Sequence, residues 1–210
     1  MALFPLFIDL SGKKCVCVGG GNVAARKARA LLTFGADIVV ISPDICKQLE
    51  ELALSGSIRI VEREYRTEDL EGAYLAIAAT HDRETNRKVH DDAVNRNIPV
   101  NVADSPEECT FTFPSIVRRE DLVIGITTSG SYPAFAKRIR ERIEEIISCH
   151  YGDILKHLKE FREKALDGIP DPHKRKKAMD EMLNEAFKWN HNFTEEQIKG
   201  KLDSIIKQYI

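Results

Sequence analysis

Three consecutive glycines, Gly19-Gly20-Gly21, close the apolar run Cys15-Val16-Cys17-Val18 and open the helix-forming stretch Asn22-Val23-Ala24-Ala25-Arg26-Lys27. Glycine can take the dihedrals of a sharp turn at Gly19. At Gly21 it puts no side chain between a pyrophosphate and the start of the following helix, where free amides and the helix dipole favour anions. A G-x-G-x-x-A string is common by chance and becomes informative only between a strand and a helix, which is the context here. The chemistry it points to is recognition of a dinucleotide, with Gly19, Gly20, Gly21, Asn22 and Val23 around the phosphates; an ordinary glycine-rich turn is the plainer alternative. Ser42-Pro43-Asp44 follows the next apolar run, where the adenosine ribose is read. NAD sites usually place an acidic residue at that strand end, about 20 residues after the glycines. Here Ser42 occupies it and Asp44 is displaced into the turn, so the residues alone leave NAD and NADP both open. Thr80-His81-Asp82 ends a later strand at the carboxyl edge, with Thr80 expected on the nicotinamide side and His81 equally suited to capping a helix.

The second chemical group is Asp104, after Asn101-Val102-Ala103. Departure of a hydride to a nicotinamide must be accompanied by loss of a proton, which a carboxylate can accept. The same group can take protons displaced by an incoming metal ion, or hold that ion briefly. It also suits a simple cap of the Ser105-Pro106-Glu107 turn. Among His81, His90, His150, His157, His173 and His191, none forms an i, i+4 pair with a nearby carboxylate, so no resident metal site is expected.

These residues need a scaffold, and the pattern supplies one. Strand-like runs at 13–18, 37–41, 57–61, 73–79 and 98–103 alternate with helical stretches near 22–34, 44–54 and 83–96. The alternation predicts crossover helices on a parallel sheet, and Ile38-Val39-Val40-Ile41 is apolar on both faces, as strands covered on both sides must be. Thr67 before Glu68-Asp69 reads as a short cap, and Gly35 as a helix stop. Beyond residue 111 the pattern changes to a charged turn, Arg118-Arg119-Glu120-Asp121, a strand at 122–127 and a long helix from Pro133. Phe135, Ile139, Ile143 and Ile146 or Ile147 share one face of that helix, suited either to a subunit contact or to packing within the chain. From Tyr151 to Ile210 the sequence reads as helices, with a break at Gly168-Ile169-Pro170-Asp171-Pro172. Thr194 and Gln197 form a capping box, and Phe193 is expected to staple onto Ile198. His173-Lys174-Arg175-Lys176-Lys177 reads as a solvated helix start, or less readily as an attractor of anions.

A net charge of −2 argues against nucleic acid as a partner, since such proteins carry a basic excess or a concentrated basic face. No window approaches the ~18 apolar residues of a membrane span. The apolar start has no basic leader and soon reaches Asp9 and Gly12, so a cytoplasmic location is expected. Five cysteines without a C-x-x-C pair read as reduced thiols, with Cys15 and Cys17 buried on the first strand.

Phe4-Pro5-Leu6-Phe7, Val18-Gly19-Gly20-Gly21-Asn22-Val23-Ala24-Ala25-Arg26-Lys27, Ala76-Ile77-Ala78-Ala79-Thr80 and Asn101-Val102-Ala103-Asp104 together resemble the precorrin-2 dehydrogenase family, which includes the amino-terminal part of siroheme synthase. The similarity runs from residue 1 to about 147, through Phe113-Pro114-Ser115-Ile116 and Thr128-Ser129-Gly130-Ser131-Tyr132-Pro133; the helical tail matches only in kind. The resemblance implies oxidation of precorrin-2 to sirohydrochlorin with NAD and, in some members, insertion of ferrous iron to give siroheme. It places the catalytic aspartate at Asp104, expected to face a cleft toward the second module, and implies a homodimer joined through that module. Its substrate is a polycarboxylate, for which Arg118, Lys137, Arg138 and the Thr128-Ser129-Gly130 loop before the Pro133 helix are the candidate contacts.

The expected fold class is α/β: a Rossmann-like NAD-binding domain at 1–113, a small α+β dimerisation region at 114–150 and a helical cap domain at 151–210. Two further functions remain open at this stage, an NAD(H)-sensing regulatory module without catalysis and a tetrapyrrole or metal carrier.

Overall fold

The computed structural model describes residues 3–189 and 194–210, so the expected Phe193 staple lies outside the described residues. The chain divides into two compact units, Met1–Phe113 and Pro114–Ile210.

The first unit runs β1 (Lys14–Val18), α1 (Asn22–Leu32), β2 (Asp37–Ile41), α2 (Lys47–Leu54), β3 (Ile58–Val61), a 3-10 turn (Thr67–Leu70), β4 (Leu75–Ala78), α3 (Arg83–Asn95), β5 (Val100–Val102) and a second 3-10 turn (Pro106–Glu108). All strands pair in parallel, in the order β3-β2-β1-β4-β5. Side chains alternate across β1: Cys15 and Cys17 join a core with Ala24, Ala25, Ala28 and Leu31 of α1, while Val16 and Val18 join one with Val89 and Ala93 of α3. This two-sided burial explains the uninterrupted apolar runs of the sequence. Loss of water pushes the Cys15 thiol up to about 11 and the Cys17 thiol up to about 12. Register sets the working edge. Val18 pairs with both Ile41 and Ala78, so the turns after β1, β2 and β4 all leave the sheet at the same level.

One local expectation is corrected here. Thr67 does not cap the turn at 67–70; Arg66 precedes it, and Asp69 accepts the Arg66 amide at 2.8 Å while also binding the Arg63 guanidinium at 2.6 and 2.8 Å. Those bonds hold the Asp69 carboxyl below the usual carboxylate range, with Arg63 the largest cause.

The second unit opens with an antiparallel hairpin, β6 (Ser115–Arg119) and β7 (Leu122–Ile126), then α4 (Pro133–Ile146), α5 (His150–Gly168), α6 (Pro172–Ala186) and α7 (Glu195–Tyr209). Arg118 and Arg119 therefore lie in a strand, paired with Val123 and Leu122, instead of in a charged turn. The turn is shortened to Glu120-Asp121, with Glu120 at φ 52°. A strand of Ser-Ile-Val-Arg-Arg hides its alternation because only Val117 is fully buried. Arg119 caps α4, donating from Nε to the Ile147 carbonyl at 2.8 Å.

The helices α5, α6 and α7 share a core of Phe161, Ala165, Ile169, Ala178, Met182, Trp189, Leu202 and Ile205. Asp171 accepts the amides of His173 and Lys174, with Pro172 as the first helical residue, which is why α6 starts there. Thr194 and Gln197 exchange both bonds of a capping box at the start of α7. Along α4 only Ala136 is fully buried; Ile139 and Ile143 are half-buried, and Phe135 and Ile146 are 57% and 70% exposed. Among the described residues no helix is long and apolar enough to cross a membrane.

Candidate functional site

Strand order reverses direction between β1 and β4, since β2 and β3 lie on one side of β1 and β4 and β5 on the other. Open parallel sheets bind ligands in the crevice at the carboxyl ends of such a pair. A cleft of about 800 Å³ lies there, lined by Gly19, Gly20, Gly21, Ser42, Pro43, Asp44 and Thr80 among others.

The three glycines have separate reasons. Gly19, at φ 120°, lies so close to β4 that a Cβ there would stand 2.6 Å from the carbonyl carbon of Ala79. Its amide donates to Ile41 at 2.9 Å. A Cβ on Gly20 would stand 2.9 Å from both the carbonyl carbon of Asp44 and Ser42 Oγ, and closer still to the Asp44 oxygen. The Gly20 carbonyl accepts the Cys46 amide at 2.8 Å, drawing the β2–α2 turn against the glycine turn. Gly20, expected at the phosphates, is thus required by the chain's own packing. Gly21 differs: nothing lies within 4 Å of where its Cβ would be, and it is the N-cap of α1 without a side-chain cap. Among the described residues no side chain caps the first-turn amides of α1, which include those of Asn22 and Val23, and the space beside Gly21 is open. Those features fit a pyrophosphate.

The opposite wall is the β4–α3 turn, and the sequence did not disclose what holds it. Asn86 is buried; its Oδ1 accepts the Thr80 amide at 3.0 Å, and its Nδ2 donates to the Thr80 carbonyl at 3.1 Å. The Thr80 hydroxyl lies 2.9 Å from Asn86 Oδ1 and 2.8 Å from the Asp82 carbonyl, and so can donate to either. Asp82, not His81, caps α3: it accepts from Glu84 and Thr85 amides, and the Thr85 hydroxyl, the largest cause, holds its carboxyl below the usual range. A polar residue on the apolar stripe of Val89 and Ala93 was the signal for Asn86. Replacing Asn86 with alanine strands two half-buried main-chain groups of Thr80, and is expected to lower unfolding free energy by about 1 kcal/mol in urea titrations.

Asp104 lies outside the lining of this cleft. It follows β5 at the same carboxyl edge, exposed, in the left-handed region at φ 62°. Two polar neighbours of this edge, one buried and one half-buried, were also missed. Asn101 sits inside the apolar strand β5, and Lys27 lies on the Ala24–Ala28–Leu31 face of α1; the Lys27 ammonium donates to Asn101 Oδ1. Each left one trace in the sequence, a polar residue interrupting an apolar pattern, which does not name its partner.

The remaining candidates belong to the second unit. Thr128 Oγ1 accepts the Tyr132 amide at 3.2 Å, Ser129 lies at φ 51°, and Gly130 at φ 82° has open space where a Cβ would be. Arg118 Nε donates to the Glu120 carbonyl at 3.1 Å, while Lys137 and Arg138 approach Glu141 at 3.9 and 3.7 Å from largely exposed positions. Among the described residues no three His, Cys, Asp or Glu side chains converge as a metal site.

Residues 6–115 match the family model described as "Putative NAD(P)-binding". The chain belongs to this NAD(P)-binding family. It is also 42% identical over 163 residues to a siroheme synthase of Methylobacillus flagellatus, covering 78% of this chain and 35% of that protein. A siroheme synthase of Photorhabdus laumondii is 35% identical over 187 residues, with 89% and 40% covered, and one of Saccharophagus degradans is 34% identical over 209 residues, with 97% and 46% covered. The chain thus spans less than half the length of these relatives. A solved structure titled SirC, precorrin-2 dehydrogenase superposes with a TM-score of 0.78 at 24% identity, covering 98% of this chain and all of that one, and it shares the fold. In this NAD(P)-binding family member, Gly21 has open space where a Cβ would be, at the start of an α1 without a side-chain cap.

Proposed function

We propose that this chain oxidises precorrin-2 to sirohydrochlorin with NAD, as part of siroheme synthesis. What carries the proposal is a dinucleotide cleft beside an exposed, strained carboxylate on one sheet edge, in a chain similar from end to end to siroheme synthases. NAD, when bound, supplies the hydride acceptor. The Gly19–Gly21 turn and the amides of Asn22 and Val23 would hold its phosphates, Ser42, Pro43 and Asp44 its adenosine ribose, and Thr80 its nicotinamide side. Asp44 and Glu64 give the cleft acidic character, which favours a free ribose hydroxyl over a phosphorylated one and hence NAD over NADP. Asp104 would accept the proton that leaves with the hydride.

In the second unit we assign residues 114–150 to dimerisation and 151–210 to a helical cap. The half-covered apolar face of α4 supports a homodimer. Thr128, Ser129, Gly130, Arg118, Lys137 and Arg138 would meet the carboxylates of precorrin-2. Insertion of ferrous iron into the product, with Asp104 taking pyrrole protons, is the proposed second activity, iron being substrate there. The free thiols suit a reducing cytoplasm.

Mixing the protein anaerobically with NAD and precorrin-2 is expected to give NADH absorbance together with the sirohydrochlorin spectrum, and added ferrous iron the metallated pigment. NAD binding without turnover would instead favour a sensing module, and pigment binding indifferent to NAD would favour a carrier.

A further inference from the structure

Asp104 is held in the left-handed region, outside any regular element, between the end of β5 and the short turn at Pro106–Glu108. Its own side chain does not hold it there, for among the described residues its carboxylate makes no hydrogen bond or ion pair. A non-glycine residue stays in this region only when its surroundings impose it. The surrounding group is the half-buried thiol of Cys109. Its sulfur accepts the Val102 amide at 3.2 Å, and lies 3.2 Å from the Val102 carbonyl and 3.3 Å from the Ser105 carbonyl, so its one proton serves either oxygen. One atom thereby ties the residue two before Asp104 to the residue immediately after it.

Cys109 is itself held from behind. Asn101 Nδ2 donates toward the sulfur at 3.4 Å and to the Phe111 carbonyl at 2.9 Å. Asn101 Oδ1 takes the Lys27 ammonium, which sits 5.3 Å from the centre of the Phe113 ring. Loss of water pulls the Lys27 pKa down, and the neighbouring Cys109, Cys17 and Asp104 push it back up. Polar groups partly shut away from water are expensive to leave unpaired, so each link keeps the next in place.

We propose that Cys109, backed by Asn101 and Lys27, is a positioning residue that keeps the Asp104 carboxylate presented at the sheet edge. The proposal rests on Asp104 accepting the proton during precorrin-2 oxidation. Cys109→Ala removes the sulfur without crowding, and Cys109→Ser keeps a shorter donor and acceptor.

The test uses the full chain and two independent readouts. By amide hydrogen exchange, C109A is expected to exchange the Val102, Ala103 and Glu108 amides, which bond the Cys109 sulfur, Ala78 and Ser105, about tenfold faster or more, with β1 and β4 unchanged. By steady-state kinetics, kcat is expected to fall on the order of 10-fold to 100-fold with KM for NAD unchanged, as a misplaced reacting group requires. C109S is expected to recover most of that loss, and adding C109A to Asp104→Ala to lower kcat no further. Unchanged exchange and unchanged kcat in C109A, or an equal loss with and without the Asp104 carboxylate, would overturn the proposal. Wild-type protein that binds NAD but fails to oxidise precorrin-2 sinks the functional assignment instead, and the exchange readout still decides whether the thiol clamps the turn.

Discussion

Replacing Asp104 with alanine is expected to cut kcat for precorrin-2 oxidation by about 10²–10⁴-fold, the range a positioned general base contributes. The affinity for NAD should be unaltered, because Asp104 lies outside the lining of the dinucleotide cleft. Folding should suffer little: the side chain is exposed and among the described residues makes no bond that the substitution would break, which leaves only the cost of alanine at φ 62°, about 1 kcal/mol. Stopped-flow NADH formation and an NAD titration monitored by fluorescence separate the two quantities. Full turnover in the variant removes the assignment of the proton acceptor. A parallel loss of NAD binding would mean that the residue belongs to the cofactor site.

The second large effect separates two adjacent glycines. Gly20→Ala drives a methyl group into the Asp44 carbonyl, a backbone atom that cannot rotate away, and the turn after β1 and the turn after β2 must part. A loss of about 3 kcal/mol or more in unfolding free energy is expected, at the upper end of overpacking costs. Gly21→Ala meets no protein atom, and the residue's φ of −88° is open to alanine, so stability should hold. Its methyl group instead enters the space assigned to the pyrophosphate, and NAD affinity is expected to drop on the order of 10-fold to 100-fold, an effect worth about 1.4 kcal/mol per decade. Urea unfolding and calorimetric titration of both variants check the pair. Equal stability of the two proteins would refute the packing role of Gly20, and unchanged NAD binding by Gly21→Ala would place the phosphates elsewhere.

The glycine turn was legible because strand, turn and helix each left their own mark around it, and Ile38-Val39-Val40-Ile41 gave away a sheet covered on both faces. What stayed hidden was polar and internal. Asn86, Asn101 and Lys27 each interrupt an apolar pattern, and periodicity treats an interruption as noise unless the partner is known. Those partners lie up to 74 residues away, as Lys27 and Asn101 do. The strand at 115–119 was missed because Arg118 and Arg119 look like a turn, although their pairing with β7 depends on backbone bonds that side-chain chemistry does not announce. Thr67 and His81 were plausible caps displaced by neighbours, Asp69 and Asp82, whose carboxylates accept more amides than a hydroxyl or an imidazole can.

The strand order of the first unit carries a consequence for the chain's birth. β1 emerges from the ribosome first but occupies the middle of the sheet, and it gains its second flank only when Leu75–Ala78 has been made. Until then one side of an apolar ribbon stands unpaired, the kind of edge on which nascent chains stick to one another. Synthesis of some sixty further residues therefore separates the first apolar strand from safety, and a helper that shelters nascent apolar segments has that interval in which to act.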